Sequence, residues 1–249
     1  MKIIGIIPAR YGSTRFPGKP LADINGKSMI QRVYEQALLS QALDDVIVAT
    51  DDQRIYRHVI GAGYQAVMTS AGHRSGTERC LEAMQSWNKD REHPADAVIN
   101  IQGDEPFIRP GQISLVASLL KQTGTGIATL AKNIVTREEI FNPHVVKVIF
   151  NANMEALYFS RAAVPYLQGV EDAQWSKNGI HYKHIGIYGY IADKLKSICR
   201  LPASILEVSE SLEQLRWLHH GHRIKIGITE FDSISVDTPN DLLKITNID

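Results

Sequence analysis

Short apolar, β-branched runs recur through the first half of the chain, at residues 3–7, 46–49, 66–68 and 97–101. Each is too short for a helix and too uniformly apolar for a half-solvated strand, which predicts strands covered on both faces. Between them apolar positions return at helical spacing, as in Met29-Ile30, Val33 and Ala37-Leu38, or Ile113, Val116 and Leu119-Leu120. Strand and helix in alternation predict a doubly wound α/β fold with a mostly parallel sheet. The second half is less regular. Strand candidates lie at 145–150, 156–159, 184–190 and 224–227, and helix candidates within 193–199, 209–220 and 241–248, a strand-rich insertion before the chain returns to the core. The polar, glycine-punctuated stretch 168–179 is expected to be the most mobile loop.

Composition narrows the class. Lys plus Arg and Asp plus Glu both number 27, so no net charge points to nucleic acid or to a membrane surface. No apolar run approaches the ~20 residues of a membrane span. Residues 1–7 lack the h-region of a secretory signal, and the expected location is the cytoplasm. Cys80 and Cys199 have no partner at metal-ligand spacing, and are expected to be buried thiols. No repeat, low-complexity tract or linker divides the 249 residues, so one domain is expected.

The chemistry concentrates after the first strand, in Pro8-Ala9-Arg10-Tyr11-Gly12-Ser13-Thr14-Arg15-Phe16-Pro17-Gly18-Lys19-Pro20-Leu21. Backbone N–H groups of a glycine and hydroxyl loop can face phosphate oxygens while Arg10, Arg15 and Lys19 neutralise their charge. Gly26-Lys27-Ser28 resembles the end of a Walker A motif, but the required first glycine falls on Leu21, and no G-x-G-x-x-G follows a strand. Gln102-Gly103-Asp104-Glu105-Pro106 follows the fourth strand, where open α/β sheets bind ligands. A carboxylate there suits Mg²⁺ beside a triphosphate. Asp237, in Val236-Asp237-Thr238-Pro239, is equally a metal ligand or a helix N-cap.

Together these segments resemble the 3-deoxy-manno-octulosonate (Kdo) cytidylyltransferases. The resemblance spans nearly the whole chain and also rests on Ala49-Thr50-Asp51, Ser75-Gly76-Thr77-Glu78-Arg79, Ala156-Leu157-Tyr158-Phe159-Ser160-Arg161, His184-Ile185-Gly186-Ile187-Tyr188-Gly189-Tyr190 and Leu212-Glu213-Gln214-Leu215-Arg216. It implies a nucleotide-diphospho-sugar transferase type of fold and transfer of CMP from CTP to Kdo, for lipopolysaccharide biosynthesis. It implies a nucleotide-binding part over about 1–131, a strand-rich part over 132–200 for sugar and dimer contacts, and a return over 201–249. Mg²⁺ would be held by Asp104 and Asp237, with Arg10 and Lys19 also catalytic. Pro8, Ala9, Arg10, Gly12, Ser13, Thr14, Arg15, Lys19, Ser75, Gly76, Thr77 and Gln102 would bind the nucleotide. Arg79, Ser160, His184, Tyr188, Glu213 and Gln214 would bind the sugar.

From the residues alone, Tyr188 reads as core and His184 as a surface histidine, while Leu212, Leu215 and Leu218 would turn Glu213 and Gln214 toward solvent. The resemblance also implies a homodimer. Relatives that use 8-amino-3,8-dideoxy-manno-octulosonate, nucleotidyltransferases for sialate or a sugar 1-phosphate, and a non-catalytic nucleotide-binding module are the alternatives. The stretch 170–182 follows no family pattern.

Overall fold

In a computed structural model, residues 1–13, 15–89 and 91–246 are described. The chain runs β1 (Ile3–Ala9), β2 (Asp23–Ile24), β3 (Lys27–Ser28), α1 (Met29–Leu38), β4 (Asp45–Thr50), α2 (Gln53–Gly61), β5 (Ala66–Met68), α3 (Gly76–Asn88), β6 (Ala97–Asn100), α4 (Pro110–Leu120) and β7 (Ile127–Asn133). It continues through α5 (Arg137–Phe141), β8 (Lys147–Phe150), β9 (Ala156–Ser160), β10 (Tyr182–Ile191), α6 (Ala192–Ile198), α7 (Ile205–Glu210), α8 (Gln214–His219), β11 (Lys225–Ile228) and α9 (Pro239–Thr246).

A nine-stranded sheet has the order β11-β7-β10-β6-β1-β4-β5, with β8 paired to β10 and β9 to β8. The first-half strands are parallel, β1 lying between β4 and β6 with β5 beyond β4. The long β10 runs antiparallel to both β6 and β7, and β11 returns parallel to β7. The predicted α/β class and its mostly parallel first half are therefore present. Successive residues of β1 feed opposite cores, Ile3 and Ile7 toward α1 and α4, Ile4 and Ile6 toward α3. Chain order reverses at β1, and the carboxyl ends of β1 and β6 open the crevice where such sheets bind ligands.

Several sequence expectations are corrected. β7 was not among the strand candidates, because in Ile127-Ala128-Thr129-Leu130-Ala131 alanines and a threonine dilute the two large apolar residues; it lies inside the sheet all the same, between β10 and β11. The helix expected within 209–220 is two helices, since Ser211 takes the left-handed conformation at φ 51° and ends α7. The loop expected to be the most mobile is anchored: 172–178 form a 3-10 turn whose Trp175 is buried on Ile134 and Ile140 and donates to the Val170 carbonyl at 3.0 Å. The Walker-like Gly26-Lys27-Ser28 is structural. Asn25 and Gly26 form the positive-φ turn of the β2–β3 hairpin, and Ser28 caps α1. Cys80 is buried but Cys199 only half so, and burial raises both thiols, Cys199 to about 12. No helix among the described residues is long and apolar enough to cross a membrane.

Candidate active site

The loop after β1 is closed by its own backbone. The Tyr11 carbonyl accepts from the Ser13 and Gly18 amides, both at 2.9 Å. Gly18 has φ 74°, and a Cβ there would lie 2.9 Å from the Tyr11 ring, so the turn requires glycine on two counts. A 3-10 turn follows at once and carries Lys19. At the end of β6, a Cβ on Gly103 would stand 2.7 Å from the Pro8 carbonyl, so only glycine lets Asp104 approach the loop. The Val236 amide then donates to the Asp104 carbonyl at 2.9 Å, tying in the segment that carries Asp237.

These three pieces converge on one ammonium. Lys19 Nζ donates to Asp104 Oδ2 at 2.7 Å, to the Val236 carbonyl at 3.0 Å and to Asp237 Oδ1 at 3.3 Å, while Arg15 Nη2 stands 3.0 Å from Asp237 Oδ1. The two possible roles of Asp237 separate here. Thr238 caps α9, its Oγ1 accepting from the Asp241 amide at 3.3 Å and the Asp241 carboxylate accepting from the Thr238 amide at 3.0 Å. Asp237 is left to face the cations.

Above this floor opens a cleft of about 310 Å³. Of the residues expected around the nucleotide, Pro8, Ala9, Arg10, Ser13, Arg15, Lys19, Ser75, Gly76 and Gln102 line it, with Asp104 and Asp237. Gly12 is exposed on the loop, Thr77 is buried behind the wall, and Thr14 lies outside the described residues. His73 and Arg74 also line the cleft. Their position just before Ser75, which caps α3, was the available signal. Glu105 was likewise unforeseen. It is buried next to Asp104, and burial pushes its carboxyl up to about 7, against a hydrogen bond from Ser233.

The residues expected around the sugar divide. Arg79 lines the same cleft, its guanidinium held by Thr69 Oγ1 at 2.6 Å and Asp51 Oδ2 at 3.0 Å. Glu213 does not turn to solvent: it accepts from Ser75 Oγ at 2.9 Å and Thr77 Oγ1 at 2.8 Å, and burial raises its carboxyl against those bonds. Gln214 is buried beside it at the start of α8. The break at Ser211 reorients both side chains relative to a continuous helix. Gln102 Nε2 donates to the Gly186 carbonyl at 2.9 Å, linking the cleft to β10, where His184 and Tyr188 lie with ring centroids 5.2 Å apart. His184 is not a surface histidine. Its ring lies edge-on to Phe159, its Nε2 is 3.0 Å from Thr129 Oγ1, and burial lowers it to about 3, so it is neutral. Ser160 is buried away from the cleft lining, donating to Glu210 Oε1 at 2.7 Å.

Asp104 and Asp237 already converge on one cation, and no cluster of three or more His, Cys, Asp or Glu ligands occurs among the described residues. Two carboxylates beside the cationic glycine loop fit Mg²⁺, which takes few protein ligands and completes its shell with phosphate and water oxygens. A site for zinc or calcium would need more protein donors.

Comparison with known proteins agrees with this architecture. Residues 4–224 match the profile of the family described as Cytidylyltransferase. The 3-deoxy-manno-octulosonate cytidylyltransferase of Parabacteroides distasonis is 54% identical over 248 residues, covering 98% of this chain and 96% of its own. The 8-amino-3,8-dideoxy-manno-octulosonate cytidylyltransferase of Shewanella piezotolerans is 46% identical over 244 residues, covering 97% of this chain and 96% of its own. The solved structure of CMP:2-keto-3-deoxy-manno-octonic acid synthetase complexed with CTP superposes with a TM-score of 0.90 at 42% identity, over 100% of this chain and 98% of that one. The chain belongs to the 3-deoxy-manno-octulosonate cytidylyltransferases, a family of nucleotidyltransferases.

Proposed function

We propose that the protein transfers CMP from CTP to the anomeric hydroxyl of Kdo, releasing pyrophosphate and giving CMP-Kdo. The observation that carries this is the floor of the cleft, where Lys19 bridges Asp104 and Asp237 beneath the glycine loop. The Glu213–Ser75–Thr77 cluster adjoins it and can meet a polyhydroxylated acid.

The reaction is an in-line displacement. The anomeric oxygen forms a bond to the α-phosphorus of CTP and gives up its hydroxyl proton to solvent, the bond from that phosphorus to the bridging oxygen breaks, and pyrophosphate leaves with the electron pair. Arg10, Arg15 and Lys19 bind the triphosphate and balance the charge that moves onto the leaving group. Mg²⁺, when bound by Asp104 and Asp237, would neutralise phosphate charge. Gln102, through Gly186, fixes the nucleotide side against β10, and the neutral His184 can accept a sugar hydroxyl there. Both thiols stay protonated, and no covalent enzyme intermediate is required.

Action in the cytoplasm as a homodimer, supplying lipopolysaccharide biosynthesis, belongs to the same proposal. A second reading, the same transfer to the 8-amino sugar, rests on the Shewanella relative. Pyrophosphate release with CTP, Mg²⁺ and Kdo, 8-amino-Kdo or sialate in parallel tests both. Release with Kdo is expected; release with sialate alone, or CTP binding without release for any sugar, would overturn the proposal.

A further inference from the structure

We propose that Arg54, on α2 and outside every motif of the nucleotide loop, is a positioning residue for CTP: it clamps the Tyr11 ring against Gly18 and holds the Lys19 loop in shape before the nucleotide arrives. The guanidinium carbon lies 3.3 Å from the Tyr11 ring centroid, within the range of a cation–π contact. Tyr11 in turn organises the loop twice, through the carbonyl that accepts from Ser13 and Gly18 and through the ring that packs on Gly18.

Arg54 is itself held in place. Its Nε and Nη2 donate to the two oxygens of Asp52 at 3.0 and 2.6 Å, and its amide donates to Asp52 Oδ1 at 2.8 Å. The Arg54 hydrogen bond, against a smaller desolvation cost, holds the Asp52 carboxyl at about 2, so the pair stays ionised across the working pH range. The neighbouring Asp51 holds Arg79 in the cleft wall. The end of β4 thus holds both arginines, Asp51 fixing the one in the cleft wall and Asp52 the one over the Tyr11 ring. Arg54 is exposed and pairs with Asp52, so its part in the fold is slight; what it restrains is a loop rich in glycine. A loop ordered in advance costs less entropy when the triphosphate binds.

The proposal rests on the CTP site described above, and the tests separate the two. Calorimetric CTP binding without sugar is expected to weaken about two- to fivefold in Arg54→Ala, the worth of an exposed cation–π contact. The KM for CTP should rise by the same factor, while kcat at saturating CTP and the KM for Kdo stay unchanged. Arg54→Lys, which keeps a cation over the ring, should recover most of the loss. Arg54→Ala in a Tyr11→Leu background should add nothing further. Unchanged CTP affinity in Arg54→Ala, or losses that add in the double variant, would overturn the clamp. Hydrogen exchange in the free protein needs no ligand and covers the case in which Tyr11→Leu fails to fold. The Ser13 and Gly18 amides should exchange faster in Arg54→Ala, and equal exchange would refute the clamp even if CTP is not the nucleotide.

Discussion

Lys19 and Asp237 are 218 residues apart in sequence, yet the ammonium stands 3.3 Å from Asp237 Oδ1 and 2.7 Å from Asp104 Oδ2. One cation thus gathers the carboxylates of two distant segments at the floor of the cleft, where the proposed reaction puts the triphosphate. Lys19→Ala should slow pyrophosphate release at saturating CTP about 10²- to 10³-fold, the effect of removing one aimed donor. Near-normal turnover would remove Lys19 from the reaction.

Asp237→Asn separates the ligand role from the cap. Thr238 and Asp241 complete the start of α9 without it, so the melting temperature should stay within a few degrees of wild type. Magnesium-dependent turnover should be lost. A fully active variant would leave Asp237 with no part in metal binding.

Glu213 accepts two hydroxyls from the start of α3. Glu213→Ala leaves the buried Thr77 hydroxyl without its acceptor, a loss of about 1 to 3 kcal/mol that thermal melting will register, while Ser75 at the cleft can turn to water. With Glu213→Gln, which keeps the shape, the KM for Kdo should rise about tenfold or more, as for loss of a charge-assisted hydrogen bond, while the CTP affinity moves little. A shift confined to CTP would move Glu213 to the nucleotide side.

The segment before Asp237 is pinned through Asp232, which pairs with Lys132 on β7 and with Lys183 on β10 at 2.5 Å. Asp232 is nearly half exposed, so Asp232→Ala should cost little stability. The loss of register at Asp237 should instead lower kcat several-fold and raise the magnesium concentration needed for half-maximal rate. Unchanged magnesium dependence would show that Val236 and Asp104 hold the segment unaided.

His184 gives the stability a defined pH dependence. Burial lowers its pKa from 6.5 to about 3, so the unfolded chain binds the extra proton first as pH falls. The stability of the neutral form is complete above about pH 6.5 and is lost progressively toward pH 3, with a ceiling of about 5 kcal/mol. The residue is only partly buried, which brings the observed loss below that ceiling. Denaturant titrations at several pH values should show this slope in wild type and a flatter one in His184→Gln; parallel slopes would place the titration elsewhere.

Much of this was legible in sequence because the apolar runs of β1, β4 and β6 obey a local rule: strands buried on both faces are continuously apolar. The glycine loop and its three cations were legible for the same reason, being contiguous. β7 escaped because alanines and Thr129 dilute its large apolar residues Ile127 and Leu130, and the break at Ser211 because a serine in the left-handed region leaves no glycine signal. Pairings such as Arg54 with Tyr11, Glu213 with Ser75 and Asp232 with Lys183 depend on how distant elements meet, which no spacing encodes. Trp175 looked like part of a polar loop because its partners Ile134 and Ile140 lie far from it in sequence.

The proposed activity is tested most directly by ³¹P NMR of the purified protein with CTP, Mg²⁺ and Kdo. Loss of the CTP signals should be matched by equimolar pyrophosphate and a single phosphodiester resonance, that of CMP joined to the sugar acid. CTP signals that persist with Kdo while another sugar acid consumes them, or that give CMP without a sugar phosphodiester, would contradict it.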